Sequence, residues 1–328
     1  MTLWTTPAPR RRHGKLYTVL SRDPFTTADA AAAGYSPPRI GVLVATDTWV
    51  ALRRGVYCTA ERLQASRWSP RSEHVLMIQA ALLAVRRAVA SGWSAALLSG
   101  LPLPARLPGR PPEHVTLTRS RGHSRQLSGV RVLVAPLPTD HVVADPEAPT
   151  TTPARTAVDL AVHAAGDERV DVLAVLDAVL YNGLTTKAQL HEIAKLFEGW
   201  PGAAKARALI DLADERAESS LESRSRAFFA ATGLPIPEAQ VELRDERGRF
   251  VGRVDFFWRE QRTVGEADGR LKYASVEILY REKQREDRLR ELGLEVVRWD
   301  ATDLRHNPTA TAARIRAAFA SGAQLRPR

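Results

Sequence analysis

Cysteine is almost absent from this chain of 328 residues, since Cys58 is its single thiol. One cysteine forms no intramolecular disulfide and excludes a zinc site built on several thiolates. The chain also lacks a long hydrophobic run: residues 75–85 are about half the length of a membrane-spanning helix and include Gln79. Residues 1–15 contain no apolar signal-peptide core. We therefore expect a soluble, cytoplasmic protein with no membrane partner.

Negative charge is scarce at the start of the chain. The formal net charge is +10 at pH 7. Residues 1–70 hold ten Lys or Arg against four Asp or Glu, residues 71–215 hold fifteen of each, and residues 216–328 hold twenty-two against eighteen. Because phosphate contacts dominate nucleic-acid affinity, this concentrated basic excess favours DNA as a partner. The alternative is an arginine-rich composition with no binding role.

Residues 25–58 have the pattern of two short helices followed by a hairpin. Thr26 or Thr27 can cap the first helix, and Ser36 can cap a second helix that runs to about Val44. Helix, tight turn, helix and hairpin is the order of a winged helix, whose second helix enters the major groove. The alternative is a small helical cap with a hairpin. The winged-helix interpretation predicts DNA contacts from three residues: Arg39, Arg53 and Arg54.

The same stretch, TTADAAAAGYSPPRIGVLVATDTWVALRRGVY, resembles the N-terminal winged helix of AbiEi-type antitoxins from abortive-infection systems. Three later segments are similar to those found after that domain in many such chains: SGWSAALLSGLPLP, TTPARTAVDLA and VLDAVLYNGLTT. The resemblance covers roughly residues 20–200. It implies DNA binding and makes a cognate toxin a candidate partner.

The middle of the chain carries the weakest functional signals. Two predicted strands flank a basic loop, residues 119–125, which can touch phosphate but is more often a solvated turn. A helix is predicted to begin near Pro153. Arg155 and Asp159 lie four residues apart in that helix, so we expect them to pair on its surface. No catalytic constellation is found in this region.

Three carboxylates stand in RVDFFWREQRTVGEADGRLKY, residues 253–273. Asp255 lies in one predicted strand, and Glu266 and Asp268 share a face of the next because they are two residues apart. Like charges at close range raise each other's pKa unless a cation or a hydrogen-bond network compensates. Either this face is open to solvent or a positive group lies on it.

Residues 216–305 resemble PD-(D/E)XK nucleases, most closely the branch related to very-short-patch-repair endonucleases. The predicted order is a helix, a three-stranded meander, a charged helix and a strand, with Asp on one strand and Glu-x-Asp-Gly on the next. The resemblance implies a Mg²⁺ or Mn²⁺ cofactor held by Asp255 and Glu266. It implies these catalytic candidates: Asp255, Glu266, Asp268, Lys272 and Glu222.

The chain departs from the nuclease motif where a lysine is expected. Asp268 stands two residues after Glu266, and Lys272 follows four residues later, where its long stem can reach back. The related domains often have His where this chain has Tyr273. Glu222 matches an acidic position on the first helix, but it is equally the partner of Ser219 in a capping box. Asp268 and the glycine after it equally form a turn.

The sequence therefore predicts a multidomain α/β protein. Its parts are a winged helix (1–66), a mixed α/β middle region (67–215) and a C-terminal PD-(D/E)XK-like α/β domain (216–328). The predicted function is metal-dependent DNA endonuclease activity guided by the winged helix, in phage defence or DNA repair. The alternative is a DNA-binding transcriptional regulator or antitoxin of a type IV toxin–antitoxin system, with a catalytically inactive nuclease-like domain.

Overall fold

The computed structural model describes residues 23–104, 112–166, 168–268 and 276–324. The chain divides into two compact units, residues 1–159 and 160–328. Within the described residues, helices and three sheets, two of which contain both parallel and antiparallel pairs, confirm the mixed α/β class. Each sheet falls within one of the three predicted parts, whose finer architecture and boundaries stay predictions. In the described ranges, no helix is both long and apolar enough to cross a membrane.

The first unit begins with the predicted helix–helix–hairpin order. Thr26 caps the first helix in a reciprocal box with Asp29, and Ser36 accepts the N–H of Arg39 at 3.4 Å to cap the second. Both predicted caps are therefore confirmed. The three strands form an antiparallel sheet in the order β1-β3-β2. The elements are β1 (Phe25–Thr26), α1 (Thr27–Ala32), α2 (Pro37–Ala45), β2 (Trp49–Arg53), β3 (Val56–Thr59) and α3 (Ala60–Ser66).

A six-stranded sheet, in the order β6-β7-β5-β4-β9-β8, occupies the rest of the first unit. Its core packs Leu117, Val130 and Val132 against Ile78. The end of the predicted basic loop forms a short edge strand, β6. The elements are α4 (Pro70–Ala84), β4 (Val89–Ala90), α5 (Gly92–Leu98), β5 (Val115–Arg119), β6 (Arg125–Leu127), β7 (Val130–Val134), β8 (Val142–Val143), β9 (Thr150–Thr151) and α6 (Pro153–His163).

The pair predicted on the surface of α6 lies in the interior instead. Arg155 Nε donates to Asp159 Oδ1 at 2.8 Å, so the pairing is confirmed. Both side chains are buried, and burial raises the pKa of Asp159 to about 6 against the effect of Arg155. The four-residue spacing predicts that two side chains meet, but which helix face is covered depends on distant parts of the chain.

The second unit holds a four-stranded sheet in the order β10-β11-β12-β13. The first three strands form an antiparallel meander, and β13 pairs parallel to β12. The predicted order of elements in this part is therefore confirmed. The elements are α7 (Glu168–Tyr181), α8 (Lys187–Lys195), α9 (Ala203–Leu212), α10 (Ser220–Thr232), β10 (Glu238–Arg244), β11 (Phe250–Trp258), β12 (Thr263–Ala267), α11 (Val276–Glu291), β13 (Glu295–Trp299), α12 (Ala301–His306) and α13 (Pro308–Gln324).

Aromatic packing fixes the centre of this sheet. Phe229 meets Trp258 and Trp299 with ring centroids 5.0 and 5.5 Å apart. Gly265 on β12 lies against both indoles: a Cβ there would stand 2.5 Å from Trp299 and 2.8 Å from Trp258. Only glycine fits between the rings without moving them. This packing sets the position of the next residue, Glu266.

Helix α10 is joined to helix α7 by two ion pairs. Arg226 lies 3.4 Å from Asp177 on α7, and both side chains are buried. Arg224 lies 3.3 Å from Asp171, also on α7. Breaking a buried pair leaves an uncompensated charge, so α10 depends on α7 for its stability. Because Phe229 of α10 also packs against Trp258 and Trp299 of the sheet, α10 connects the sheet to α7.

Candidate functional site

The strand ladders of the second unit bring four polar residues into one row across the sheet. Continuing the register of the neighbouring pairs places Asp255 opposite Gln240 on one side and opposite Glu266 on the other. Glu266 in turn pairs with Arg298. Residues opposite each other on adjacent strands share a face. The prediction that Asp255 and Glu266 lie on adjacent strands is therefore confirmed. The row consists of Gln240, Asp255, Glu266 and Arg298.

Asp255 has hydrogen bonds to both of its oxygens. Its Oδ2 accepts the backbone N–H of Ala267 at 2.9 Å, and its Oδ1 accepts from Gln240 Nε2 at 3.4 Å. Burial raises the pKa of Asp255, while the Ala267 N–H and the charge of Arg285 oppose that rise. The carboxylate is thus held in one orientation, but its hydrogen bonds and the charge of Arg285 offset only part of the effect of burial on its pKa.

Glu266 is the most perturbed carboxyl of the row. Its side chain is 8% exposed, and its Oε1 accepts from Arg285 Nη2 at 2.8 Å. Burial raises the pKa of Glu266 to about 7, with Arg285 opposing the rise and Asp255 adding to it. A carboxyl with that pKa changes its charge near neutral pH, so any added cation would strongly favour the ionised form.

Among the described residues, two arginines bring positive charge to this face. Arg285 on α11 is half-buried, and its Nη2 also donates to the carbonyl of Arg253. It reaches that position over Gly252, where a Cβ would stand 2.9 Å from Arg285 Nε. Arg298 Nη1 lies 3.3 Å from Asp268 Oδ2. Asp268 is therefore paired with Arg298, while its backbone N–H extends the β12–β13 ladder to the Trp299 carbonyl.

Glu222 on α10 joins the row through Gln240. Gln240 Nε2 donates to Glu222 Oε2 at 2.8 Å as well as to Asp255, so one amide group links two carboxylates. Ser219 caps α10 as predicted, accepting the Glu222 N–H at 3.2 Å. The Glu222 carboxylate accepts from the N–H of Glu218, which replaces the reciprocal half of the predicted capping box. Burial raises the pKa of Glu222.

Gln240 was missed by the sequence reasoning. It has a positive φ of 54°, which is uncommon for a residue with a side chain and marks a position under constraint. Nothing in the sequence around it signals that conformation or its two carboxylate partners. Lys272, Gly269 and Tyr273 lie outside the described residues, and their roles stay predictions.

The N-terminal candidates differ in exposure. Arg39 on α2 and Arg54 in the β2–β3 turn are exposed. Arg53 is half-buried, and its Nη2 donates to the carbonyl of Ser128 at 2.9 Å. Burial lowers the pKa of Arg53. Arg53 therefore links the β2–β3 hairpin to the β6–β7 turn. The sequence did not indicate this link, and it predicted only a phosphate contact for Arg53.

The row suits a hard cation by its chemistry. Mg²⁺ takes oxygen ligands and needs only one or two carboxylates, the number that Asp255 and Glu266 supply. Burial raises the pKa of both groups, so a cation bound beside them would offset their loss of water. Within the described ranges, no group of three or more His, Cys, Asp or Glu side chains is arranged to hold a metal ion. The metal assignment stays a prediction.

Comparison with known proteins finds two similar mycobacterial chains. No family model matches the chain. It is similar to Uncharacterized protein MT2308 of Mycobacterium tuberculosis (strain CDC 1551 / Oshkosh) and to Uncharacterized protein Rv2248 of Mycobacterium tuberculosis (strain ATCC 25618 / H37Rv). Each is 35% identical over 165 residues, which covers 50% of this chain and 59% of the relative. The chain thus spans little more than half the length of these relatives.

Proposed function

We propose that the protein is a metal-dependent DNA endonuclease, in which the second unit hydrolyses phosphodiester bonds and the N-terminal region binds duplex DNA. The observation that carries the proposal is the row itself. Asp255 and Glu266 lie on adjacent strands, and Glu222 is joined to Asp255 through Gln240. Perturbed carboxyl groups held together by specific partners are typical of catalytic sites.

The order of elements in the second unit supports this proposal. α10 carries Glu222, β11 carries Asp255, β12 carries Glu266, and the charged helix α11 returns the chain to the parallel strand β13. That order, with acidic residues on the second and third strands, is typical of the nucleases that residues 216–305 resemble. A shared fold alone does not establish an activity, so the proposed activity is argued from the residues of the row.

Asp255 and Glu266 are the residues that would hold Mg²⁺ or Mn²⁺. When bound, such an ion polarises a phosphate oxygen and lowers the pKa of a water molecule. The chain itself contributes orientation, because Ala267 and Gln240 fix both oxygens of Asp255. It also contributes charge, since Arg285 donates to Glu266 at 2.8 Å. Lys272 is proposed to stabilise the negative charge that develops on the phosphate.

The DNA-binding part of the proposal rests on α2 and the β2–β3 hairpin. Arg39 and Arg54 are exposed, one on the second helix and one at the hairpin turn, as a winged helix requires. Their long side chains can meet phosphate oxygens bidentately. A duplex bound there would supply substrate to the same polypeptide, with site preference set by the N-terminal region.

A second candidate function is a DNA-binding regulator or antitoxin whose second unit is catalytically inactive. The observation in its favour is that arginines already pair with the candidate carboxylates. Arg285 lies 2.8 Å from Glu266, and Arg298 lies 3.3 Å from Asp268. Ion pairs of this kind also occur as purely structural features of an inactive fold.

Cleavage by the full-length protein separates the two candidates. Supercoiled plasmid and single-stranded DNA are incubated with Mg²⁺ or Mn²⁺, using wild type, Asp255→Asn and a control, Glu242→Gln. Glu242 is an exposed carboxylate on the same sheet, outside the row. The endonuclease proposal expects cleavage by wild type and the control and none by Asp255→Asn. Absence of cleavage by wild type would support the inactive alternative, and equal cleavage by all three would show that Asp255 does not take part in it.

A further inference from the structure

The β6–β7 hairpin belongs to a stretch without acidic residues. Between Glu113 and Asp140 the chain holds four arginines and not one Asp or Glu. The rest of the middle region, residues 71–215 without this stretch, holds eleven Lys or Arg against fifteen Asp or Glu, so the local positive excess is confined to these residues. A segment of single-sign charge raises the local concentration of a polyanion and accelerates its binding. The four arginines are Arg119, Arg121, Arg125 and Arg131.

Three of these arginines present free guanidinium groups on the edge of the six-stranded sheet. Arg121 lies in the turn before β6, Arg125 begins β6 and Arg131 lies on β7, and all three are exposed. In the part of the chain that the structure describes, none of them forms an ion pair or a side-chain hydrogen bond. Arg119 differs, because its Nη2 donates to the carbonyl of His123 and so shapes the turn.

Arg53 connects this hairpin to the hairpin β2–β3. Its Nη2 donates to the carbonyl of Ser128 at 2.9 Å, and a Cβ on Gly129 would stand 3.6 Å from the same atom. Both the β6–β7 turn and the neighbouring Arg54 therefore lie beside Arg53. The β6–β7 register places Arg125 opposite Val132 and Gln126 opposite Arg131, so the two arginines lie on opposite faces of the hairpin, each within about 10 Å of its turn. A DNA duplex presents about six negative charges over that length.

We propose that the hairpins β2–β3 and β6–β7 form one duplex-binding surface along the edge of the six-stranded sheet. Arg125 and Arg131 contact phosphates there from the two faces of the β6–β7 hairpin, and Arg53 holds the hairpins together. The inference rests on the proposed DNA binding and extends it beyond the winged helix to the edge of the six-stranded sheet. Arginine suits this role because its planar group meets phosphate with two hydrogen bonds. Duplex DNA is favoured over an acidic protein because Arg54 lies at the tip of a predicted wing.

The salt dependence of duplex binding by the full-length protein tests the inference. Fluorescence anisotropy with a labelled duplex gives the affinity at several NaCl concentrations. The variant Arg125→Gln/Arg131→Gln is expected to flatten the log–log slope by about two, roughly one per lost phosphate contact. Affinity at low salt should fall at least tenfold. A matched variant, Lys205→Gln/Arg207→Gln, removes two exposed positive charges from α9 and should leave the slope unchanged.

Three outcomes overturn the inference in distinguishable ways. In the first outcome, wild type, the hairpin variant and the control have equal slopes, while Arg54→Gln still flattens the slope. This result excludes the β6–β7 hairpin as a DNA contact but leaves the proposed DNA binding in place. No salt-dependent duplex binding by wild type removes both. Polyglutamate that binds as tightly as the duplex, and loses its affinity in the hairpin variant, assigns the surface to an acidic protein. Thermal melting of each variant checks that the fold is retained.

Discussion

The two compact units carry charge in opposite ways. In the first unit, Arg54, Arg125 and Arg131 are exposed positive groups with no acidic residue near them in sequence. In the second unit, Glu222 and Glu266 are buried negative groups held by specific partners. Exposed charges act over a Debye length and are screened by salt, whereas buried charges respond to pH through their pKa. The first unit should therefore be sensitive to salt and the second to pH.

The largest expected effect contrasts a glycine from each unit. Gly265→Ala places a Cβ 2.5 Å from Trp299, so overpacking should lower the free energy of unfolding by about 2–3 kcal/mol. Gly41→Ala, within α2, meets no atom within 4 Å and should be neutral or stabilise by up to about 1 kcal/mol. Chemical denaturation measures both. A Gly265→Ala protein as stable as wild type would show that the aromatic packing yields easily.

The second prediction concerns the pH dependence of stability. The pKa of Glu266 is raised from 4.5 to about 7 in the fold, so its protonated form favours the native state. This contribution is complete below pH 4.5 and is lost as the pH rises through about 7. The Glu266→Gln variant should therefore lose less stability between these pH values, by up to about 3 kcal/mol.

Denaturant unfolding at several pH values checks this prediction, with Glu242→Gln as the control. Glu242 is exposed, so its replacement should leave the pH dependence as it is in wild type. Parallel curves for wild type and Glu266→Gln would contradict the burial argument and place the Glu266 carboxyl in contact with water.

Lys272→Met tests the substitute for the missing motif lysine. The methionine keeps most of the apolar stem and removes the charge, so cleavage should slow by more than about tenfold. Affinity for the metal should change little, because Lys272 is not a proposed ligand. Single-turnover cleavage and a Mn²⁺ titration provide the two readouts. If turnover is unchanged, the positive charge comes from another residue, for which Arg285 is the first candidate.

Gln240→Glu tests the amide link between Glu222 and Asp255. A third carboxylate in place of the amide would raise the pKa of both partners, since like charges oppose ionisation. Cleavage at pH 7 should fall about tenfold and recover at higher pH. Gln240→Ala is the control, because it removes the hydrogen bonds without adding a charge and should show no such recovery. A rate–pH profile of wild-type shape for Gln240→Glu would exclude a positioning role.

The smallest effects are expected for the winged-helix arginines. Arg39→Gln and Arg54→Gln should each flatten the salt dependence of duplex binding by about one unit of slope. Arg53→Gln should instead lower the thermal stability of the first unit, since its guanidinium is bonded to the Ser128 carbonyl. Anisotropy titrations and thermal melts separate the two behaviours. An Arg53→Gln slope change equal to that of Arg54→Gln would restore Arg53 as a direct phosphate contact.

Local signals in the sequence were sufficient for several features. The caps at Thr26, Ser36 and Ser219 were predicted because an N-cap depends on residues within one helical turn. The adjacency of Asp255 and Glu266 was predicted because a short turn between two strands leaves antiparallel pairing as the simplest arrangement.

The features that were missed depend on contacts between distant residues. Arg53 meets Ser128 across 75 residues, and Arg285 meets Glu266 across 19. The link from Gln240 to Glu222 spans 18 residues and needs a positive φ that no pattern indicates. Periodicity tells which residues share a face, but the partner that covers the face is set by tertiary packing.

Binding of Mn²⁺ to the full-length protein tests the central claim most directly. Calorimetric titrations near pH 7, in buffers of different ionisation enthalpy, give the affinity and the number of protons released. Since the pKa of Glu266 is about 7, the account predicts one bound ion, a fraction of a proton released, and loss of both signals in Asp255→Asn and Glu266→Gln. Absence of Mn²⁺ binding, or binding that both variants retain, would contradict a metal-dependent site at this row.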